Sequence, residues 1–160
     1  MVNQNLSLHH IIRESSLKEN APLLIMCHGY GSDENDLFSF ASELPEEVFI
    51  ISLRAPQPMQ PYGNAWYTIH FDSSNGKWSD DEEAIVSRDK IAEFIDFACN
   101  KYPVDKNNVT LLGFSQGTIL SYAVALNFPE KVQKVIFFEN VRNAAMYAIV
   151  FYFFSKRCHM

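Results

Sequence analysis

The chain has 160 residues, a mass of 18.4 kDa and a formal net charge of −6. That length fits one domain with a real core, and 48% apolar residues supply the material for it. A charged fraction of 20% with 22 aromatics excludes a disordered chain, and the acidic balance argues against nucleic acid or an anionic membrane surface as partner.

Residues 1–10 are polar and carry no basic patch before a long apolar stretch, so no signal peptide is read there. Residues 6–12 alternate weakly and predict an edge strand. Residues 23–27, Leu-Leu-Ile-Met-Cys, form a continuous apolar run, the pattern of a strand buried on both faces. A turn-rich stretch, 28–32, follows. Residues 33–42 predict a helix, with Ser32 or Asp33 as N-cap and Leu37, Phe38 and Ala41 on one face. Residues 48–53 predict a second buried strand. Residues 55–82 hold Pro56, Pro58, Pro61, Gly63 and Gly76 together with Trp66, Tyr67 and Trp78, and read as a long functional loop.

Residues 84–101 predict the clearest helix, with Ile91, Phe94, Ile95 and Ala98 on its apolar stripe and Ser79 able to cap it. The acids from Asp80 to Glu83 match the positive end of that helix and read as its solvated first turn rather than as a metal site. Residues 109–112 predict a third strand, 118–127 a helix ended by Pro129, and 132–138 a fourth strand. This alternation implies an α/β domain with a mostly parallel sheet.

The three cysteines, Cys27, Cys99 and Cys158, are odd in number and widely spaced, so no disulfide framework is expected, and metal-ligand spacing is absent. Cys27 and Cys99 read as buried inert thiols and Cys158 as the one reactive thiol. The cytoplasm is the expected compartment. The longest apolar run, 144–154, has eleven residues and is too short to span a bilayer as a helix.

Two loops carry chemistry. Gly113-Phe114-Ser115-Gln116-Gly117 is a G-x-S-x-G lying between a predicted strand and a predicted helix, the context of a nucleophile elbow. Gly113 and Gly117 allow the tight turn, Ser115 is presented at the strand's carboxyl end, and the backbone N–H of Gln116 points where an oxyanion would form. His28-Gly29-Tyr30-Gly31-Ser32-Asp33 follows the first buried strand and can bring backbone N–H groups to a reacting carbonyl. A dinucleotide-binding reading of Gly29 and Gly31 fails, because Glu34 stands where the third glycine belongs. His28 is either a base or a structural residue, and the chain order of G-x-S-x-G enzymes favours the second. His70 has no partner spacing to support a substrate contact, and His9 and His10 read as edge or solvent-facing residues.

The ten residues from His28 to Leu37, Arg54-Ala55-Pro56, Ala65-Trp66-Tyr67 and the pentapeptide around Ser115 together resemble the phospholipase/carboxylesterase family of α/β hydrolases, which includes acyl-protein thioesterases. The resemblance spans residues 5–136. It implies an α/β-hydrolase-like fold and a Ser-His-Asp hydrolase of carboxylic esters or thioesters, with a small-molecule substrate and no cofactor. Ser115 would attack the acyl carbonyl, and the N–H groups of Tyr30 and Gln116 would bind the oxyanion. Trp66 would line the acyl pocket or serve only as a loop anchor.

The resemblance stops near residue 136. The family's aspartate and histidine follow the serine, yet no aspartate follows Ser115 and the only later histidine is His159. Glu139 as acid and His159 as base would keep a legal chain order, but the tail has no glycine to shape a catalytic loop. Residues 137–160 hold 7 of the 22 aromatics and sum to +2, against −8 for the first 136. Residues 1–136 therefore read as the front of an α/β-hydrolase domain, incomplete at its C-terminal end. The tail reads as truncated or frame-shifted, or as a diverged terminus on a non-catalytic acyl-ligand or partner-binding protein. In either case residues 144–154 are expected to cover an open sheet edge or to leave it available for self-association.

Overall fold

A computed structural model describes residues 8–72, 76–139 and 147–152. An edge strand, β1 (His10–Arg13), leads into the apolar run, which forms β2 (Ala21–Cys27). The segment expected to be one helix over 33–42 is broken into a four-residue helix, α1 (Asn35–Phe38), and a 3-10 turn (Ala41–Glu43). Polar side chains explain the break: Asp33 Oδ1 accepts from the Asn35 N–H at 2.8 Å, and Ser39 Oγ donates to the Asp36 carbonyl at 2.6 Å. Glu34 stands at the N-cap without a side-chain bond to the helix, in place of Ser32 or Asp33. Beyond the turn, the Arg13 guanidinium takes the carbonyls of Ala41, Leu44, Pro45 and Val48, which satisfies that stretch without a helix.

β3 (Phe49–Leu53) is buried at every position. The long loop is more ordered than its composition implies. It folds into two small antiparallel ribbons, β4 (Gln57–Pro58) with β5 (Asn64–Ala65), and β6 (Ile69–Asp72) with β7 (Gly76–Ser79). Ser79 is thereby paired with Ile69, and Asp80 caps α2 (Asp81–Lys101) instead, accepting from the Glu83 N–H at 3.0 Å. The acidic run has protein partners: Glu83 Oε2 also accepts from the Thr68 N–H at 2.7 Å. Then come β8 (Val104–Phe114), α3 (Gln116–Asn127), β9 (Lys134–Glu139) and β10 (Tyr147–Tyr152).

The main sheet has six strands in the order β1-β3-β2-β8-β9-β10. Its centre, β3-β2-β8-β9, is parallel, and the two outer strands are antiparallel to their neighbours. Cys27 pairs with Leu53 on one side and Gly113 on the other, so the carboxyl ends of β2, β3 and β8 finish level. The edge expected to be open at β9 is paired along its length by β10, from Tyr147 opposite Glu139 to Tyr152 opposite Lys134. The outer side of β10 has no strand partner among the described residues.

The continuous apolar pattern of β2 reflects cover on both faces. Leu23, Ile25 and Cys27 join Phe49, Ile51, Val109 and Leu111 beneath α2 and α3, with Ile91, Phe94, Ile95, Leu120 and Val124. Leu24, Met26, Ile50 and Leu112 face the other way, against Leu37 and Ala41. No helix among the described residues is long and apolar enough to cross a membrane.

Candidate active site

β8 ends at Phe114 and α3 begins at Gln116, leaving Ser115 alone at the junction with φ 52° and ψ −115°. A left-handed φ on a non-glycine residue costs on the order of 1–3 kcal/mol and persists only where the surroundings over-determine it. Two glycines do so here. A Cβ on Gly113 would lie 2.5 Å from backbone atoms of Gly117 and Thr118, and one on Gly117 would lie 1.9 Å from the Cys27 carbonyl oxygen. The Ser115 carbonyl accepts from the N–H groups of Thr118 and Ile119 at 3.0 and 3.2 Å, while its side chain is exposed and does not cap the helix.

The loop after β2 lies beside this turn. Gly29 to Ser32 form a β-turn closed by the Ser32 N–H on the Gly29 carbonyl at 3.3 Å, with Gly31 at φ 80°, the glycine corner of a type II turn. Asn64 pins the turn, accepting from the Gly31 N–H at 2.9 Å and donating to the Ser32 carbonyl at 2.7 Å. Tyr30 occupies the first corner, where an N–H has no partner within the turn. Gln116 is the first residue of α3, where an N–H has no partner within the helix. Neither N–H makes a hydrogen bond among the described residues.

His28 is buried with both ring nitrogens engaged. Nδ1 donates to the Gly29 carbonyl at 2.7 Å, and Nε2 accepts from the Ala55 N–H at 3.0 Å. Burial pushes the imidazole below its ordinary pKa and keeps it neutral. It holds the β2 and β3 loops together and has no nitrogen left for a proton transfer. His10 spends its nitrogens on the Leu8 carbonyl and Tyr102, and His70 stacks on Trp78. His9 lies 3.5 Å from the Glu34 carboxylate, and among the described residues no histidine is hydrogen-bonded to Ser115. His159 and Cys158 lie outside those residues, as does most of the tail.

Trp66 has no exposed surface, and its indole N–H donates to the His28 carbonyl at 2.9 Å. That bond ties the loop to the end of β2. The Gln116 amide completes the anchor: Oε1 accepts from the Trp66 N–H at 3.0 Å, and Nε2 donates to the Tyr67 carbonyl at 2.7 Å. Ser87, on α2, donates to the Trp66 carbonyl. Sequence reasoning missed Ser87, Asn64 and the Gln116 side chain. The readable signal for Ser87 was a polar residue one turn before Ile91 on an apolar helix stripe.

Glu34 and Arg54 tie the same loop to the end of β3. Arg54 Nε donates to Glu34 Oε2 at 2.6 Å, and a second guanidinium nitrogen donates to Oε1. This hydrogen-bonded guanidinium holds the buried Glu34 carboxyl at about 2. Because that value is depressed, the pair's stabilisation is complete above the ordinary carboxyl range and is lost as pH falls through about 4.5 toward 2. Arg54 is 40% exposed, so solvent screens the pair. Wild type is expected to lose about 2 kcal/mol more than Glu34→Gln between pH 5 and pH 2 in urea unfolding; parallel pH curves would remove the ion pair as the cause.

Burial pushes the Cys27 thiol up to about 12, as an inert core residue, and raises Cys99 as well.

The model of the phospholipase/carboxylesterase family matches residues 9–146. The chain belongs to that family. Among solved structures, this family member is similar to a Bacillus cereus carboxylesterase, with 20% identity and a TM-score of 0.67 over 89% of this chain and 66% of that one. It is also similar to esterase PE8, with 21% identity and a TM-score of 0.67 over 79% of this chain and 61% of that one. Acyl-protein thioesterase 2 of Zea mays aligns at 20% identity and a TM-score of 0.57, over 75% of this chain and 52% of that one. These likenesses show the α/β-hydrolase fold. The chain spans between about half and two thirds of the length of the three.

Proposed function

We propose that the protein is a serine hydrolase that cleaves carboxylic esters or thioesters through an acyl-Ser115 intermediate. The observation that carries the reading is Ser115 itself: an exposed hydroxyl on a left-handed backbone, between a strand and a helix, beside two uncommitted N–H groups. In the first half-reaction Ser115 Oγ bonds to the acyl carbon and its proton passes to a base. The carbonyl oxygen gains the negative charge, which the N–H groups of Tyr30 and Gln116 stabilise, and the alcohol or thiol leaves with a proton. Water then attacks the acyl-serine and releases the acid. The base and its acid partner are supplied from outside the described residues.

That Ser115 takes no hydrogen bond from a described histidine favours a second reading, an acyl-ligand-binding protein without turnover. A fluorophosphonate probe followed by intact-protein mass spectrometry separates the two, with p-nitrophenyl acetate as the turnover assay. Labelling with turnover is expected, with both lost in Ser115→Ala by about three orders of magnitude or more. Turnover that survives Ser115→Ala, or no labelling of wild type, would sink the acyl-serine mechanism.

A further inference from the structure

We propose that the buried Gln116 side chain is a positioning residue that holds the two oxyanion donors in register. The proposal rests on the acyl-Ser115 reading for its chemistry, and on independent geometry for its linkage. Gln116 supplies one donor from its backbone, while the residue is only 2% exposed and its amide is bonded into the loop after β5. From there a relay of hydrogen bonds runs to the strand end that leads into the other donor. The amide holds the backbone of Trp66 and Tyr67 by one accepted and one donated bond, at 3.0 and 2.7 Å. The Trp66 indole then donates to the His28 carbonyl at 2.9 Å, two residues before Tyr30. Ser87 fixes the Trp66 carbonyl from the side, so the relay is anchored on α2 as well.

Gln116, Trp66, Tyr67, Ser87 and His28 are all buried and hydrogen-bonded, which makes the relay rigid rather than adaptable. The amide is used at both ends, so neither a carboxylate nor a thioether replaces it. Glutamate can accept from Trp66 but sets a negative oxygen against the Tyr67 carbonyl. Methionine keeps the length and loses both bonds. Donor placement matters steeply: a misplacement of about 1 Å costs on the order of 100-fold in rate.

The test uses the full chain with Gln116→Met and Gln116→Glu, and reads the labelling of Ser115 by a fluorophosphonate as amplitude and rate separately. A positioning role predicts that the labelled fraction is retained, the saturating rate falls about 10- to 100-fold, and the half-saturating probe concentration changes little. A purely structural role lowers the labelled fraction and leaves the rate of the folded molecules unchanged, and that result overturns the proposal. A second readout stands apart from Ser115 chemistry. In a Trp78→Phe background, Trp66 is the only tryptophan. Gln116→Met is expected to increase acrylamide quenching of its emission at an unchanged far-ultraviolet circular dichroism spectrum. Unchanged quenching overturns the relay even if wild type does not label, whereas failure of wild type to label overturns only the acyl-serine mechanism.

Discussion

Gly117→Ala is expected to destabilise the fold severely. In a helix interior alanine is ordinarily preferred over glycine by about 1 kcal/mol, so local propensity alone argues for gain. The structure reverses the sign. The added methyl would sit 1.9 Å from the Cys27 carbonyl oxygen, 2.6 Å from its carbon and 2.8 Å from the His28 carbonyl oxygen. All three atoms are backbone at the end of the central strand, level with β3 and β8, and none is the free end of a flexible side chain. Relief requires α3 to lift away from β2, which opens the cover over Ile25 and Leu111. A loss of about 4 kcal/mol or more is expected, a large part of a stability of roughly 5–15 kcal/mol. Urea unfolding followed by circular dichroism reads it directly. Gly76→Ala is the control, since that glycine has φ 81° and open space around its missing Cβ; it should cost only about 1 kcal/mol. Equal midpoints for the two variants would refute the close approach of α3 to β2.

Trp66→Ala is the second large effect. The side chain is fully buried among the core residues of the α2 and α3 face. Removing it deletes packing worth about 3–5 kcal/mol and leaves the His28 carbonyl without its donor. Trp66→Phe separates these contributions, because it keeps most of the ring volume and loses only the N–H; about 1–3 kcal/mol is expected. A midpoint for Trp66→Ala close to that of Trp66→Phe would mean that the ring does little packing, contrary to its burial.

The strands of the sheet were legible because both faces are covered, so residues 23–27 are apolar without interruption and residues 109–112 are apolar except at Thr110. The elbow was legible because the backbone turn needs its glycines in a fixed pattern around Ser115. The helix expected over 33–42 was not, since Ser39 takes the Asp36 carbonyl that a longer helix would use, while Asp33 and Asp36 hold Asn35 and Ser32 in the local turn. The ordering of residues 55–82 was hidden for a related reason. Prolines and glycines mark turns but do not say that Asn64 will pair with Ser32 or that Trp66 will be swallowed by the core. A tryptophan in a loop reads equally as a ligand contact or an anchor until its indole partner, the His28 carbonyl, is known. For the cap of α2, Ser79 and Asp80 are adjacent and chemically equivalent candidates, and only the β6–β7 pairing separates them. The tail is compositionally foreign, yet six of its residues extend the sheet as β10, which an apolar run alone does not distinguish from a covering segment.

The strand order has a further consequence for how this chain tolerates change. The loop bearing Tyr30 and the turn bearing Ser115 grow from β2 and β8, which are direct neighbours, and each is paired on both sides. β1 and β10 form the two margins, separated from those strands by β3 and by β9. The sheet thus keeps the Tyr30 loop and the Ser115 turn inland of its two margins, so a margin altered by insertion, loss or substitution meets a buffering strand before it meets them.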